Sequence, residues 1–352
     1  MTTTQEFLGK EEFSIYTQTV SESCPSNIAL IKYWGKYDNQ IPANPSISYT
    51  LNNCKTNTTM EFLADEPFSV QTFLAGNEEV KFAEKIEKYF KNIEQYLPWI
   101  LKGKYIIRTE NTFPHSSGIA SSASGFGAIA KCLMKLDGVF SGIDSEEESL
   151  RKASFLARLG SGSACRSLYN GLVVWGESQV RGSSDLFAVK YPDEEIHDIF
   201  KDFNDWVLLI HEGQKSVSST VGHGLMNTNP YAERRFLEAR ENFGPMKEIL
   251  ESGDMQSFIR LVEHEALTLH AMMMMSEPAF ILMKTGTLEV INKIWDFRKE
   301  TNLPLFFTLD AGANVHLLFP NDSSEEKIKT FIEAELIQHT QHNGVVKDIM
   351  KF

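Results

Sequence analysis

The spacing of apolar and polar residues changes along the chain, and the changes predict the elements. Ser14–Val20 alternates among β-forming residues and predicts a strand, and Ser46–Leu51 (SISYTL) repeats the pattern. Between them, Asn27–Tyr33 (NIALIKY) is a nearly unbroken apolar run ending in a loop signal, Trp34-Gly35-Lys36. Phe82, Ile86, Tyr89, Phe90 and Ile93 recur at helical spacing with charges between them, so Phe82–Tyr96 predicts an amphipathic helix. Tyr105–Thr109 reads as a strand, and a turn-rich segment leads into a small-residue helix over Ser121–Leu136. A further helix covers Glu146–Leu159 and is ended by Gly160.

Gly171–Trp175 and Trp206–Ile210 are short buried-strand patterns, separated by the charged stretch Pro192–Asp205. A domain boundary is expected there, dividing the chain into 1–203 and 204–352. Helical spacing then recurs over Pro230–Glu251, Met255–Met275 and Thr287–Arg298. Strands at Leu305–Leu309 and Val315–Phe319 flank the turn Asp310-Ala311-Gly312, and Asp322-Ser323-Ser324 offers N-cap chemistry for a last helix. Strands and helices mixed in both halves predict a two-domain α+β protein.

Composition narrows the function. The 352 residues are 42% hydrophobic and 23% charged, which is ordinary globular usage and excludes disordered and collagen-like classes. A net charge of −13 argues against a broad basic surface for nucleic acid or an anionic membrane. Cys24, Cys54, Cys132 and Cys165 form no C-x-x-C pair, the first residues are too polar for a secretory signal, and the greasiest run, Ala271–Met283, is broken by Ser276, Glu277 and Pro278. A soluble cytoplasmic protein with reduced thiols is the expectation.

Four segments hold candidate chemistry. Pro114–Gly127 (PHSSGIASSASGFG) passes from a turn straight into the small-residue helix. Gly118 permits close backbone approach, and unpaired amides at a helix start attract phosphate. Ser121 and Ser122 add hydroxyls for a phosphate or its Mg²⁺; tight helix–sheet packing explains the same composition equally well. The segment is neither a Walker A loop nor a dinucleotide fingerprint, since G-K-[ST] and G-x-G-x-x-G are absent.

Gly160–Ser167 (GSGSACRS) groups Ser161, Ser163 and Arg166, a clamp suited to phosphate or carboxylate, or else a helix C-cap with a surface arginine. Lys32 lies inside an apolar run, where a lysine without a partner is costly; it either snorkels to water or stands beside a substrate oxygen or carboxylate, with Tyr33 and Lys36 on the same loop. Asp310 sits at a strand end, a place for chemistry or for simple turn capping. His264 and His270, six apart, favour packing or hydrogen bonding over zinc, and Met272–Met275 reads as core or interface.

Together the four segments resemble the mevalonate diphosphate decarboxylase family of the GHMP kinase superfamily. NIALIKYWGK is similar to that family's N-I-A-x-x-K-Y-W-G-K, and PHSSGIASSASGFG to its phosphate loop P-x-x-x-G-[LI]-A-S-S-A-[AS]-G. GSGSACRS matches its G-S-G-S-A-C-R-S, and FTLDAGANVH resembles its T-x-D-A-G-x-N block, in the same order.

The resemblance implies an N-terminal ribosomal protein S5 domain 2-like fold and a C-terminal ferredoxin-like α/β sandwich. It implies ATP-dependent decarboxylation of (R)-5-diphosphomevalonate to isopentenyl diphosphate, releasing ADP, phosphate and CO₂, in the mevalonate pathway of isoprenoid biosynthesis. A homodimer with a small-molecule substrate is implied as well. Asp310 then corresponds to the catalytic aspartate, Lys32 to its neighbouring lysine and Arg166 to the carboxylate-holding arginine. Tyr33, Lys36, Ser161 and Ser163 fall on substrate contacts. Gly118, Ala120, Ser121, Ser122 and Ser124 fall on the ATP loop, with Ser121 or Ser122 reaching Mg²⁺ through the nucleotide.

The chain departs from the pattern at Tyr37, where the family usually has arginine, at His115-Ser116-Ser117, and near Lys81–Lys88, where a diphosphate-binding arginine has no counterpart. A relative that acts on a monophosphorylated mevalonate, as decarboxylase or 3-kinase, therefore stays open beside the diphosphate reading, as do a small-molecule kinase of the superfamily and a catalytically silent member. The intact Lys32, Arg166 and Asp310 set argues against the silent one.

Overall fold

The computed structural model describes residues 3–114, 119–142, 145–213 and 217–351. Its longest feature is a hairpin of β1 (Gln18–Ile31) and β2 (Ser46–Leu63), paired antiparallel along nearly their whole length. The sequence pattern divides β1 into two pieces because Pro25 interrupts it. The structure keeps one strand, with a register shift between Pro25 and Asn27 directly after the proline. Ser14 to Thr17, expected to open that strand, lie before it.

Strands β3 (Ser69–Leu74), β4 (Asn77–Glu78), β5 (Lys104–Asn111), β6 (Leu172–Trp175) and β7 (Ala188–Lys190) complete a seven-stranded sheet ordered β4-β3-β5-β2-β6-β7, with β1 on the other edge of β2. β2 divides one edge between two partners: Thr56–Leu63 pairs with β5 and Ser46–Tyr49 with β6. Helices α1 (Val80–Ile93), α2 (Ser121–Ser141) and α3 (Glu146–Gly160) accompany this sheet. Their apolar stripes bury Ile86, Phe90, Ile129, Leu133, Phe155 and Leu156 in one core with Met60, Phe62 and Ile107 of the sheet.

A second sheet, ordered β11-β8-β10-β9, is antiparallel throughout. It consists of β8 (Asp202–Leu208), β9 (Phe306–Thr308), β10 (Val315–Pro320) and β11 (Val345–Lys351). The helices of this half are α4 (Ser219–Leu225), α5 (Ala232–Glu241), α6 (Phe243–Ser252), α7 (Met255–Met274), α8 (Thr285–Thr301) and α9 (Glu325–Phe331). The single helical pattern over Pro230–Glu251 becomes α5 and α6, because Pro245 fits only a first helical turn and forces a new start.

The sheets share a core. Ile28, Leu30 and Tyr49 of the first pack with Phe203, Val207 and Leu318 of the second and with Phe258 of α7. The buried Asp348 carboxylate of β11 also accepts backbone N–H bonds from Asn52 (2.9 Å) and Cys54 (2.6 Å) of β2. The mixed α+β architecture expected from the sequence is present. Among the described residues no helix is long and apolar enough to cross a membrane.

Candidate active site

β1 ends at Ile31, so Lys32, Tyr33 and Trp34 leave the sheet together, and β9 ends two residues before Asp310. Trp34 and Ala311 share a small apolar cluster with Leu269 and Met273, which presses these two strand ends against each other. Lys32 Nζ lies 3.0 Å from Asp310 Oδ1 as a result. The lysine side chain is only 1% exposed while the aspartate is 28% exposed, so the pair presents its carboxylate outward.

Behind Lys32, a second ion pair fixes the backbone. Glu265 of α7 accepts the Lys32 N–H at 2.8 Å and is itself bound by Arg235 and by Asn242 Nδ2 at 2.6 Å. Asn44 Nδ2 donates to the Lys32 carbonyl at 2.9 Å. Burial pushes the Lys32 ammonium below the ordinary lysine range, while Asp310 and then Glu265 hold it back. His270 Nε2–H donates to the Asp310 carbonyl at 3.1 Å, which bears out hydrogen bonding for that histidine.

Arg166 lies in the 3₁₀ turn Gly162–Leu168 that follows α3. The two glycines of this segment are there for packing. A Cβ on Gly160 would stand 2.0 Å from the Phe126 ring, and one on Gly162 would stand 2.8 Å from the Tyr33 hydroxyl. Arg166 is buried and hydrogen-bonded to Asn27 Oδ1 (3.2 Å) and Ser46 Oγ (2.5 Å), both neutral. Among the described residues no carboxylate pairs with it. Burial lowers its pKa, and the more distant Asp310 works in the opposite direction.

One cavity of about 230 Å³ gathers most of the expected residues. Lys32, Tyr33, Lys36, Ala120, Ser122, Ser161, Ser163, Arg166 and Asp310 all line it. Ala120 enters α2 in the left-handed conformation (φ 39°) and no side chain caps the helix. Ser122 Oγ comes within 3.4 Å of Ser161 Oγ, joining the two serine segments. Ser121 sits at the same helix start but outside the lining. Ser124 does not join them: it is buried one turn on, bonded to Thr56 Oγ1 at 2.6 Å, because its helix face is the one packed on β2. Gly118 lies outside the described residues.

Three further polar side chains of the lining, Gln40, Lys85 and His223, escaped the sequence reading. Gln40 accepts from Lys36 Nζ at 2.7 Å. Lys85 of α1 reaches in with its ammonium 4.7 Å from the Phe126 ring. Its side chain is largely exposed, yet desolvation at the pocket wall, and then the charge of Lys36, lower its pKa. Lys85 falls in the stretch where the arginine was missing, so a cation is present there after all. His223 of α4 is the third, packed at a tilt against the rings of Tyr33 and Trp34. Lys85 sits on the polar side of an ordinary amphipathic helix, and His223 in a short helix without a motif, so neither carries a local signal.

The chain's relatives point the same way. A family model for the diphosphomevalonate decarboxylase-like N-terminal domain matches residues 24–188. One for the mevalonate 5-diphosphate decarboxylase C-terminal domain matches 206–351. The diphosphomevalonate decarboxylase of Saccharomyces cerevisiae is 30% identical over 344 residues, covering 91% of this chain and 81% of that protein. The crystal structure of mevalonate diphosphate decarboxylase from Staphylococcus aureus superposes with a TM-score of 0.81 at 28% identity, covering 95% of this chain and 96% of that one. A complex of a protein designated MDDEF with MVAPP, AMPPCP and magnesium gives a TM-score of 0.80 at 26% identity, covering 94% and 96%. The fold is thus the GHMP kinase-like one, and with both family models and these full-length relatives in agreement, the chain belongs to the mevalonate diphosphate decarboxylase family.

Proposed function

We propose that this protein catalyses the ATP-dependent decarboxylation of mevalonate 5-diphosphate to isopentenyl diphosphate, with release of ADP, phosphate and CO₂. The observation that carries the reading is Arg166: a buried guanidinium that has no carboxylate partner among the described residues and lines the same small cavity as the Lys32–Asp310 pair. A buried unpaired charge is expensive, and a ligand carboxylate would offset that cost with bidentate geometry.

The substrate's tertiary hydroxyl is a poor leaving group. Asp310 orients that hydroxyl and takes its proton as the oxygen attacks the γ-phosphorus of ATP and the bond to ADP breaks. Lys32 holds Asp310 in place and in its charged form. The new phosphate ester then departs with the C–O electron pair, the C–COO⁻ bond supplies the electrons of the new double bond, and CO₂ leaves. Arg166 holds the carboxylate so that its bond lies opposite the departing phosphate. Most of the acceleration comes from such positioning and from electrostatics.

Tyr33, Lys36, Ser161 and Ser163 receive the diphosphate, joined by Lys85. Two lysines, Lys36 and Lys85, on the wall of one small cavity suit a diphosphate better than a monophosphate. ATP phosphates would rest at the start of α2, on Ala120, Ser121 and Ser122. Mg²⁺ would reach the site with the nucleotide and gain a hydroxyl from Ser121 or Ser122. Bound there, Mg²⁺ would neutralise charge on the phosphates. The reading includes a division into two domains near residue 203 and a cytoplasmic homodimer; four buried free thiols are consistent with a reducing compartment.

The test is an assay of the purified protein with ATP, Mg²⁺ and either mevalonate 5-phosphate or mevalonate 5-diphosphate, counting CO₂ and ADP. Equal yields from the diphosphate support the reading. ADP without CO₂ would make the protein a kinase, and preference for the monophosphate would move the substrate assignment.

A further inference from the structure

His223 has a defined donor direction. The Gly35 N–H donates to His223 Nδ1 at 3.0 Å, so that nitrogen is an acceptor and carries no proton. In the neutral ring the proton therefore resides on Nε2. The ring packs against Tyr33, 4.4 Å away between centroids, and Trp34, 4.5 Å away, each at a tilt of 36°, so turning it disturbs both contacts and the Gly35 bond. His223 lines the cavity, and among the described residues its Nε2 has no hydrogen-bond partner. Burial, followed by the charges of Lys36 and Arg166, pushes its pKa down to about 3, so the ring stays neutral at physiological pH.

We propose that His223 is a substrate-binding residue whose fixed Nε2–H donates a hydrogen bond to an anionic oxygen of the substrate in the cavity lined by Lys36 and Arg166. The inference rests on the reading that this cavity takes mevalonate diphosphate. The chemistry favours a neutral donor at this point. Lys32, Lys36, Lys85 and Arg166 already crowd positive charge around a small volume, and a further cation would repel them in the empty protein. A neutral N–H held by two aromatic neighbours and by a backbone amide adds direction without charge.

Two substitutions separate the nitrogens. His223→Asn keeps an acceptor near the Nδ1 position for Gly35 and removes the distal donor. His223→Gln places an amide donor near the Nε2 position and gives up the proximal acceptor. Binding of mevalonate diphosphate is measured by titration calorimetry without ATP, and steady-state constants are measured for both substrates. The Asn variant is expected to bind mevalonate diphosphate about ten- to a hundred-fold more weakly, the range for a hydrogen bond to a charged group, with its KM for ATP unchanged. The Gln variant is expected to recover most of that loss. An Asn variant that binds like the parent overturns the inference, since only the Gly35 contact can then matter; equal losses in both variants overturn it too, since the bulk of the ring rather than its Nε2–H is then what the substrate needs. Parent protein that fails to bind mevalonate diphosphate overturns the functional reading, and this inference with it.

Discussion

Two buried ion pairs lie back to back across the Lys32 backbone, and they differ in what surrounds them. Arg235–Glu265 is closed: the side chains are 1% and 0% exposed, the contact is two-pronged, and Asn242 and the Lys32 N–H also bind the carboxylate. Lys32–Asp310 is half open, with a buried ammonium and a carboxylate reaching a cavity that also holds Arg166, whose partners among the described residues are neutral. The closed pair is sealed from solvent, and although Arg235 Nε has no partner among the described residues it is out of a ligand's reach, so the pair's role is to locate Lys32. The open pair keeps its acid end for the reaction. Burial of charge alone therefore does not distinguish chemistry from scaffolding; the accessible oxygen does.

Substitutions should separate the two pairs. Asp310→Asn is expected to cut turnover about 10²- to 10⁴-fold, measured as CO₂ release at saturating ATP. Its thermal midpoint should fall less than that of a variant that strands an arginine, since burial lowers the Lys32 pKa and a lysine, unlike an arginine, can lose its proton once its carboxylate partner is gone. Near-parental turnover would take Asp310 out of the mechanism. Glu265→Ala should do the reverse, costing about 3–5 kcal/mol of stability in urea unfolding because Arg235 is left buried without its counter-charge. A variant as stable as the parent would show that the closed pair is not structural.

A smaller effect is expected at Arg166→Lys. Charge is kept but the planar fork is lost, so the KM for mevalonate diphosphate should rise about tenfold while the folding midpoint holds. Unchanged KM would leave the carboxylate clamp untenable. The mildest effect is on pH dependence. His223 has its pKa depressed from 6.5 to about 3, so below pH 6.5 the unfolded chain takes up a proton that the folded one refuses. Its contribution to stability is complete above pH 6.5 and declines as pH falls toward 3, by at most about 1.4 kcal/mol per pH unit. Denaturant titrations at pH 7.0 and 5.5 should show this decline flattened in His223→Asn, and equal slopes in parent and variant would contradict the neutral buried ring.

The two pairs were also unequally legible in the sequence. Lys32 and Asp310 stand in short segments where every neighbour is constrained, by Trp34 packing on Ala311 and by Tyr33 against Gly162, so a local pattern records them. Glu265 and Arg235 lie within ordinary amphipathic helices, where a charged residue reads as solvent-facing; only the tertiary approach of α5 and α7 to Lys32 turns them inward. The same contrast holds for the fold. Strongly periodic helices such as α7 and α8 were plain from spacing. β11, β7 and the second half of β2 were not, since their partners are distant in the chain and their polar residues break the alternation. Ser124 shows the opposite error: a motif position whose helical phase turns it into the sheet.

The cations around the cavity belong to a molecule whose net charge is −13. A substrate bearing a diphosphate and a carboxylate is therefore repelled at long range and drawn in only near the mouth. Screening acts over about 8 Å at physiological ionic strength, and it weakens the exposed, distant charges before the enclosed ones. Added salt should thus first quicken and then slow the encounter, giving an association rate that peaks at intermediate ionic strength. The protein's acidic exterior works as a barrier whose height the surrounding electrolyte sets.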